Sequence, residues 1–146
     1  MKIVKADQSF RQICAELLFK TELGKRYFIN HQNEYIGFEL LKEGFDKDTI
    51  YLAESEKGQI IGFSWFQERG IFNWFPYLHV LVVDPAYQNT GYGTALLNHF
   101  ETLCYQENNI KAKSLYEKSG YQVVGPIKDL YIKGVSEILI HKIRSY

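Results

Sequence analysis

A loop with two glycines joins a strand-like segment to a helix-like segment over residues 82–97. Its sequence is Val-Val-Asp-Pro-Ala-Tyr-Gln-Asn-Thr-Gly-Tyr-Gly-Thr-Ala-Leu-Leu. The start of a helix has unpaired backbone N–H groups and about half a positive charge, so it attracts anions. Gly91 and Gly93 lack a Cβ, which allows a phosphate to approach those donors closely. The pattern favours a pyrophosphate site, although a tight strand-to-helix turn would use the same residues.

Two well-known nucleotide motifs do not fit this loop. It contains no Gly-Lys-Ser/Thr, so it is not a P-loop. Leu96 occupies the position of the third glycine of the dinucleotide fingerprint. An unrelated phosphate or nucleotide binder is therefore a minor alternative.

The strand before the loop carries a side chain that exchanges a proton near neutral pH. Alternate positions of a strand share one face, which predicts a common face for four residues: Tyr77, His79, Leu81 and Val83. Histidine titrates near neutrality without help from its surroundings, so His79 is a candidate proton acceptor. A purely structural histidine is the alternative.

Aromatic residues are dense between residues 63 and 77. They are Phe63, Trp65, Phe66, Phe72, Trp74, Phe75 and Tyr77. Such a segment most often packs into a core. Its end could instead form the wall of a pocket for an amine with an apolar or aromatic body.

The hydrophobic periodicity predicts one α/β domain over residues 1–146, with antiparallel hairpins first and the strand–loop–helix unit in the middle. The predicted strands are 2–6, 50–54, 59–67, 75–83, 121–124 and 137–143. The predicted helices begin after Ser9 and after Gly91, and also cover 35–42 and 110–119. Ser9 and Gln12 are predicted to form a capping box, and Gly58 to take a positive φ in a hairpin turn.

Composition excludes several classes of function. Lys plus Arg and Asp plus Glu both number 17, so no net charge draws the chain to nucleic acid or to a lipid surface. No apolar run approaches the roughly 20 residues of a membrane span, and the N-terminal segment does not resemble a secretory signal. Cys14 and Cys104 lie in apolar helical patterns, which indicates buried free thiols and a cytoplasmic protein.

Two motifs resemble signatures of the GNAT N-acetyltransferase superfamily. Gln88-x-x-Gly91-x-Gly93 after a strand resembles its acetyl-CoA-binding signature. Residues 109–121, Asn-Ile-Lys-Ala-Lys-Ser-Leu-Tyr-Glu-Lys-Ser-Gly-Tyr, are similar to its Asn-x-x-Ala-x-x-x-Tyr-Glu-x-x-Gly-Phe/Tyr signature. The resemblance covers nearly the whole chain. It implies an α/β (α+β) domain with a mixed central sheet flanked by helices, and transfer of an acetyl group from acetyl-CoA to a primary amine by direct attack in a ternary complex.

The resemblance implies that main-chain atoms bind most of the cofactor. Strand residues Leu81, Val82 and Val83 would pair with the pantetheine arm like an added strand, and an N–H near Leu81 would polarise the thioester. The N–H groups of Thr90, Gly91, Tyr92, Gly93 and Thr94 would hold the pyrophosphate, and Gln88 and Asn89 would also belong to the cofactor site. Asn109 would bind the cofactor's amide arm, or would act only as a helix N-cap.

The resemblance also suggests catalytic residues. Tyr116 matches the position that protonates the leaving thiolate, although an aromatic residue there could simply pack in the core. The segment Tyr77-Leu78-His79 resembles the arylalkylamine N-acetyltransferase branch, in which two histidines relay the amine's proton through water. The first of those positions is Tyr77 here, so the base is either His79 assisted by Tyr77 or water alone.

One element of the family pattern is short or missing. A buried strand is expected between the loop helix and Asn109, but only residues 104–108 separate them. Either the helix is cut short and followed by a strand stub, or the sequence lacks residues. A non-catalytic CoA-binding or regulatory module with the same fold is therefore the alternative function. The acceptor, a small-molecule amine or an amine of a peptide or protein, stays open, as does a homodimer.

Overall fold

The structure is a computed structural model that describes residues 1–71, 75–108, 122–128, 133 and 136–141. The chain forms two compact units, Met1–Cys104 and Tyr105–Tyr146. This division does not test the predicted single domain over residues 1–146, which stays a prediction.

The first unit is built on an antiparallel sheet with strand order β1-β2-β3-β4. The strands are β1 (Lys2–Lys5), β2 (Ile50–Glu54), β3 (Ile60–Ile71) and β4 (Phe75–Val83). Four helices connect β1 to β2: α1 (Arg11–Phe19), α2 (Glu22–Tyr27), α3 (Gly37–Leu40) and α4 (Lys42–Asp46). Helix α5 (Tyr92–Asn108) follows the glycine loop. The α/β fold class predicted from the sequence is confirmed, and every ladder among the described strands is antiparallel.

The described part of the second unit contains one antiparallel strand pair. Strand β5 (Gln122–Lys128) pairs with β6 (Ser136–His141), in a register that runs from Gln122 opposite His141 to Lys128 opposite Ser136. The predicted strands at 121–124 and 137–143 therefore exist, with shifted ends. The predicted helix at 110–119 lies outside the described residues.

The sheet of the first unit is covered by helices on both faces. On the face that we call the α1–α4 face, Leu18, Leu41 and Phe45 pack against sheet residues that include Leu52 and Phe63. On the opposite face, the α5 face, the cluster consists of Phe66 and Phe100 with Tyr51, Leu78, Leu97 and Leu103 around them. Truncating a fully buried leucine to alanine typically costs about 2–5 kcal/mol, so these two clusters hold the sheet between its helices.

Strand β4 contains a β-bulge. Trp65 of β3 lies opposite Val80, whereas Phe66 lies opposite Leu78, so His79 is an extra residue in β4. An extra residue interrupts the alternation of side chains and twists the strand locally. Bulges arise from pairing between strands, so the sequence of β4 alone does not reveal it.

Two local predictions meet different outcomes. Gly58 has φ of 77° and its N–H bonds to the Ser55 carbonyl, as the turn prediction requires. The capping box at Ser9 is wrong, because the side chain of Asp7 is the cap and accepts from the Ser9 N–H at 2.8 Å. A short 3₁₀ turn, Gln8–Phe10, then leads into α1.

The helix after the glycine loop is longer than in the prediction of a shortened helix with a strand stub. Helix α5 is continuous from Tyr92 to Asn108, and residues 104–108 form its last turn. The prediction of a shortened helix that is followed by a strand stub before Asn109 is therefore wrong. No strand occurs among residues 92–108, in agreement with an element that is short or missing.

Cys14 should be chemically inert in the folded protein. Its side chain is 0% exposed, and burial raises the pKa of the thiol from 9.0 to about 12. Because the thiolate is the nucleophile, its population at pH 8 falls by roughly 10³. In a Cys104→Ser variant, we expect labelling by a chromogenic disulfide reagent to be slow under native conditions and fast in guanidinium. Rapid labelling of the native variant would contradict the burial of Cys14.

Candidate functional site

The turn that leaves β4 is tied to helix α1. The Asp84 carboxylate accepts from the Ala86 N–H at 3.0 Å and from the Lys20 ammonium at 2.8 Å, and its side chain is 14% exposed. The hydrogen bond from Lys20, and then that from Ala86, lower the pKa of Asp84, so the group is ionised at neutral pH. Asp84 thus caps the 3₁₀ turn Pro85–Tyr87 and fixes the start of the loop.

The two glycines of the loop serve different purposes. Gly91 has φ of 92°, a left-handed conformation that other residues adopt only with strain, and a Cβ built there meets nothing within 4 Å. Gly91 is therefore required by the turn, and its role in letting a phosphate approach stays a prediction. A Cβ on Gly93 would lie 3.6 Å from Val83 Cγ2 and 3.8 Å from Leu81 Cδ2, in a cleft.

The first turn of α5 presents backbone donors. The Ala95 N–H makes the first intrahelical bond, to the Gly91 carbonyl at 2.9 Å. The N–H groups of Tyr92, Gly93 and Thr94 precede it and have no carbonyl four residues earlier within the helix. In a helix of 17 residues, the macrodipole adds about half a positive charge at this end. This turn can therefore bind an anion.

An open cleft of about 290 Å³ lies beside these donors. It is lined by Leu81, Val83, Tyr87, Gln88, Asn89 and Gly93. Five of these six residues are among the predicted cofactor-binding residues. Tyr87 was missed by the sequence analysis, although its place in the loop was a signal. Its hydroxyl donates to Gln59 Oε1 at 3.2 Å, which holds the ring at the cleft.

The main chain of β4 offers hydrogen-bonding groups along its outer side. β4 is the last strand of the four-stranded sheet, and no described strand pairs with its other side. The Asp84 N–H bonds to the Ile61 carbonyl of β3 at 2.8 Å, which fixes the phase of the ladder. Since residues of an antiparallel strand alternate in direction, the main-chain groups of Leu81 and Val83 point away from β3.

Val82 does not share this arrangement. It lies one residue out of phase with Leu81 and Val83, so its main-chain groups point toward β3. Its side chain is buried in the core on the α1–α4 face. Val82 is not among the residues that line the cleft, and its place in a cofactor site stays a prediction.

The bulge separates His79 from the cleft. The His79 ring contacts the Trp65 ring at 4.2 Å between centroids, and Trp65 belongs to the core on the α1–α4 face. Tyr77 lies opposite Gln67, whose amide reaches Glu43 of α4 on that same face. Leu81 and Val83 line the cleft beside α5 instead. The predicted common face for the four residues is therefore wrong, and His79 and Tyr77 lie on the other side of the sheet.

His79 is held by aromatic contacts in surroundings that favour its neutral form. Its ring lies 5.5 Å from the Tyr77 ring, edge to face, as well as against Trp65. Burial lowers the pKa of His79, and the negative charge of Glu43 opposes this with a smaller effect. The ring is nevertheless exposed enough to meet solvent. A neutral imidazole with access to water can accept a proton.

The remaining predicted residues lie at the loop, outside the described residues or in the core. Gln88, Asn89, Thr90 and Thr94 are exposed around the loop, Tyr92 is half-buried, and Asn89 has φ of 62°. Tyr116 and Asn109 lie outside the described residues. In the aromatic segment, Phe63, Trp65 and Phe66 are core residues.

Neither a metal-ligand cluster nor a membrane-crossing helix occurs among the described residues. Within that part of the chain, no three His, Cys, Asp or Glu side chains are grouped so that they could hold a metal ion. None of its helices has both the length and the apolar character that crossing a membrane requires.

Several solved structures share the fold. One, described as histone acetyltransferase HPA2 and related acetyltransferase from Corynebacterium glutamicum, has a TM-score of 0.67 and 20% identity, covering 99% of this chain and 97% of that chain. An aminoglycoside 6'-N-acetyltransferase complexed with coenzyme A has a TM-score of 0.66 and 17% identity, and the match covers 96% of this chain and 95% of that chain. A ribosomal-protein-alanine N-acetyltransferase from Brucella melitensis has a TM-score of 0.64 and 16% identity, and the match covers 96% of this chain and 97% of that chain. At these identities the likeness establishes the fold alone.

The sequence of the chain identifies its family. No curated protein matches it significantly. The acetyltransferase (GNAT) domain family matches residues 46–123, from the end of α4 to the start of β5, which is more than half of the 146 residues. The matched part includes the outer strand β4, the glycine loop and α5. The protein therefore belongs to the GNAT acetyltransferase family and is an acetyltransferase.

Proposed function

We propose that the protein transfers an acetyl group from acetyl-CoA to a primary amine of a small molecule, peptide or protein in the cytoplasm, by direct attack within a ternary complex. One observation carries this proposal: the first turn of α5 and the outward-facing main chain of β4 meet at a single cleft. The N–H groups of the first turn of α5 suit a pyrophosphate, and the outward-facing main chain of β4 suits an arm that contains amides. Acetyl-CoA has both, in that order, and supplies the activated thioester.

The cofactor residues act through their main chain. The N–H groups of Tyr92, Gly93 and Thr94 would bind the pyrophosphate, since they start a long helix and have no intrahelical partner. Leu81 and Val83 would hydrogen-bond the pantetheine amides as a strand does, and the Leu81 N–H would hold the thioester carbonyl. Oriented main-chain donors stabilise the oxyanion without reorganising, which is a large term in acyl transfer.

The proton of the amine would leave through the other face of the sheet. His79 is neutral near pH 7 because burial lowers its pKa, and its ring reaches solvent. We assign it the role of proton acceptor through water, with Tyr77 beside it. The leaving thiolate would take a proton from Tyr116, a role that rests on the family resemblance alone.

A non-catalytic CoA-binding module is the second candidate. The continuous helix to Asn108, with no strand among residues 92–108, favours it, because a strand expected beside the pantetheine arm is not found there. Release of free thiol from acetyl-CoA in the presence of amines distinguishes the two. Binding of CoA without amine-dependent thiol release would support the module.

Gly93→Val should weaken CoA binding. Its Cβ would enter the cleft beside Leu81 and Val83 at ordinary contact distances, so the free protein should tolerate the change. The added methyl groups should lower CoA affinity by about 10- to 100-fold. Asn98→Val is the matched control, because it puts the same side chain on an exposed position of α5. Calorimetry that finds equal affinity for a folded Gly93→Val would reject the site.

Tyr116→Phe should leave CoA affinity unchanged and lower turnover. The substitution keeps an aromatic ring and removes only the hydroxyl, and loss of a positioned acid typically costs about 10²–10⁴ in rate. Stopped assays of thiol release at saturating acetyl-CoA measure the effect. A turnover number within about a factor of two of the wild type would leave only a packing role for Tyr116.

His79→Gln should remove the acidic limb from the pH profile of kcat/KM. A base must be neutral to act, so activity is lost as pH falls through its pKa, and the lowered pKa puts this limb below pH 6.5. His99→Gln is the matched control: burial also lowers the pKa of His99, but that ring contacts the Tyr51 ring on the α5 face. Rates corrected for the neutral fraction of the amine give the test. If His79→Gln keeps the limb and the rate, water alone is the base.

A further inference from the structure

Several polar and aromatic side chains lie near His79 on the α1–α4 face of the sheet. We call it the Glu43 cluster, and it consists of Glu43, Trp65, Gln67, Tyr77 and His79. The Gln67 amide donates to Glu43 Oε1 at 3.3 Å, and Gln67 lies directly opposite Tyr77 on the paired strands. The rings of Trp65 and Tyr77 both contact His79. The cluster thus brings a carboxylate of α4 to the proposed proton acceptor of β4.

The two oxygens of Glu43 are not used equally. The Lys47 ammonium donates to Oε1 at 2.6 Å, and Gln67 donates to the same oxygen. No group in the described part of the chain donates to Oε2. A carboxylate can accept about four hydrogen bonds, so Oε2 is available to a ligand donor. The side chain is 51% exposed, which gives a ligand access from solvent.

Glu43 differs from an ordinary surface acid in how it is held. An exposed ion pair four residues apart on one helix, such as Glu43 with Lys47, contributes little by itself. Gln67 adds a hydrogen bond from a different element, β3, and so fixes the carboxylate relative to the sheet. Trp65 is 3% exposed, and its indole nitrogen has no hydrogen-bond partner among the described residues. A Cβ on Gly44 would lie only 2.8 Å from that nitrogen. α4 is thereby packed closely against β3.

The charge of Glu43 suits a cation other than the reacting amine. A nearby carboxylate stabilises an ammonium and raises its pKa, whereas the reacting amine must be neutral to attack. Holding the reacting amine at Glu43 would therefore oppose the reaction. A second ammonium group of the acceptor does not have to lose its proton, so it would gain the attraction without that penalty while the reacting amine lies at His79.

We propose that Glu43 binds a second cationic group of the acceptor, so that the preferred substrates are diamines or other amines with an additional ammonium group. This inference rests on the proposed function, because it assumes that the acceptor lies at His79. Tyr77 offers an aromatic ring for the carbon chain between the two nitrogens. Glu43 is then a specificity-determining residue that lies outside the CoA cleft.

The test compares diaminobutane and diaminohexane with butylamine and hexylamine, which have the same carbon chains and one nitrogen. Affinity is measured by calorimetry on the full chain saturated with CoA, and kcat/KM by thiol release. The wild type should prefer each diamine. Glu43→Gln should lower diamine affinity about 2- to 5-fold, the effect of losing an exposed ion pair, and leave the monoamines and CoA unchanged.

Glu39→Gln is the matched control, since it removes the same charge from α3, where Glu39 acts on Tyr35 and not on the cluster. It should leave the diamine preference intact. Equal affinity of the wild type for diamine and monoamine, or an equal loss for both in Glu43→Gln, would overturn the inference. Diamine-selective binding without thiol release would support the Glu43 site and contradict the proposed transfer reaction, so the two failures are distinguishable.

Discussion

The hydrogen-bond phase of β4 is the constraint on which the rest of the site depends. One bond, from the Asp84 N–H to the Ile61 carbonyl, fixes which residues of β4 pair with β3. The alternation then directs the main-chain groups of Leu81 and Val83 outward. A shift of one residue would turn these groups into the sheet and would bury the side chains that now line the cleft. The site therefore depends on register more than on any single side chain.

The bulge and the loop adapt that strand to two tasks at once. The extra residue His79 reverses the side-chain order upstream of Val80, so β4 presents Leu81 to the α5 face and His79 to the α1–α4 face. At its other end, Asp84 and Lys20 hold the turn, and the left-handed Gly91 aims the first turn of α5 at the cleft. One nine-residue strand thus lines the cleft on one face and supplies Tyr77 and His79 to the Glu43 cluster on the other.

Local features of the sequence predicted much of the fold, whereas pairing between strands was not predictable. The bounds of β2 and β4 and the turn at Gly58 follow from apolar runs and a glycine, which are local signals. The bulge at His79 and the contact of Gln67 with Glu43 depend on partners distant in sequence. Helix α2 was missed because its stability comes from the Thr21 cap and from packing, in a segment without clear periodicity. The loop residues could be proposed from the sequence because glycines and a helix start mark them locally.

His79 and His99 share a lowered pKa, and their positions in the fold are what distinguishes them. Burial lowers the pKa of both His79 and His99, so both rings are neutral near pH 7. The His99 ring is tilted against the Tyr51 ring with 4.5 Å between the centroids, and its Nδ1 is buried without a partner among the described residues. Protonating it would bury a charge and oppose folding as pH falls, which suits a structural residue. His79 has an exposed ring beside a fixed carboxylate, so a proton that reaches it can continue to solvent. Access to solvent, set by the bulge, therefore makes one histidine a candidate base and leaves the other as packing.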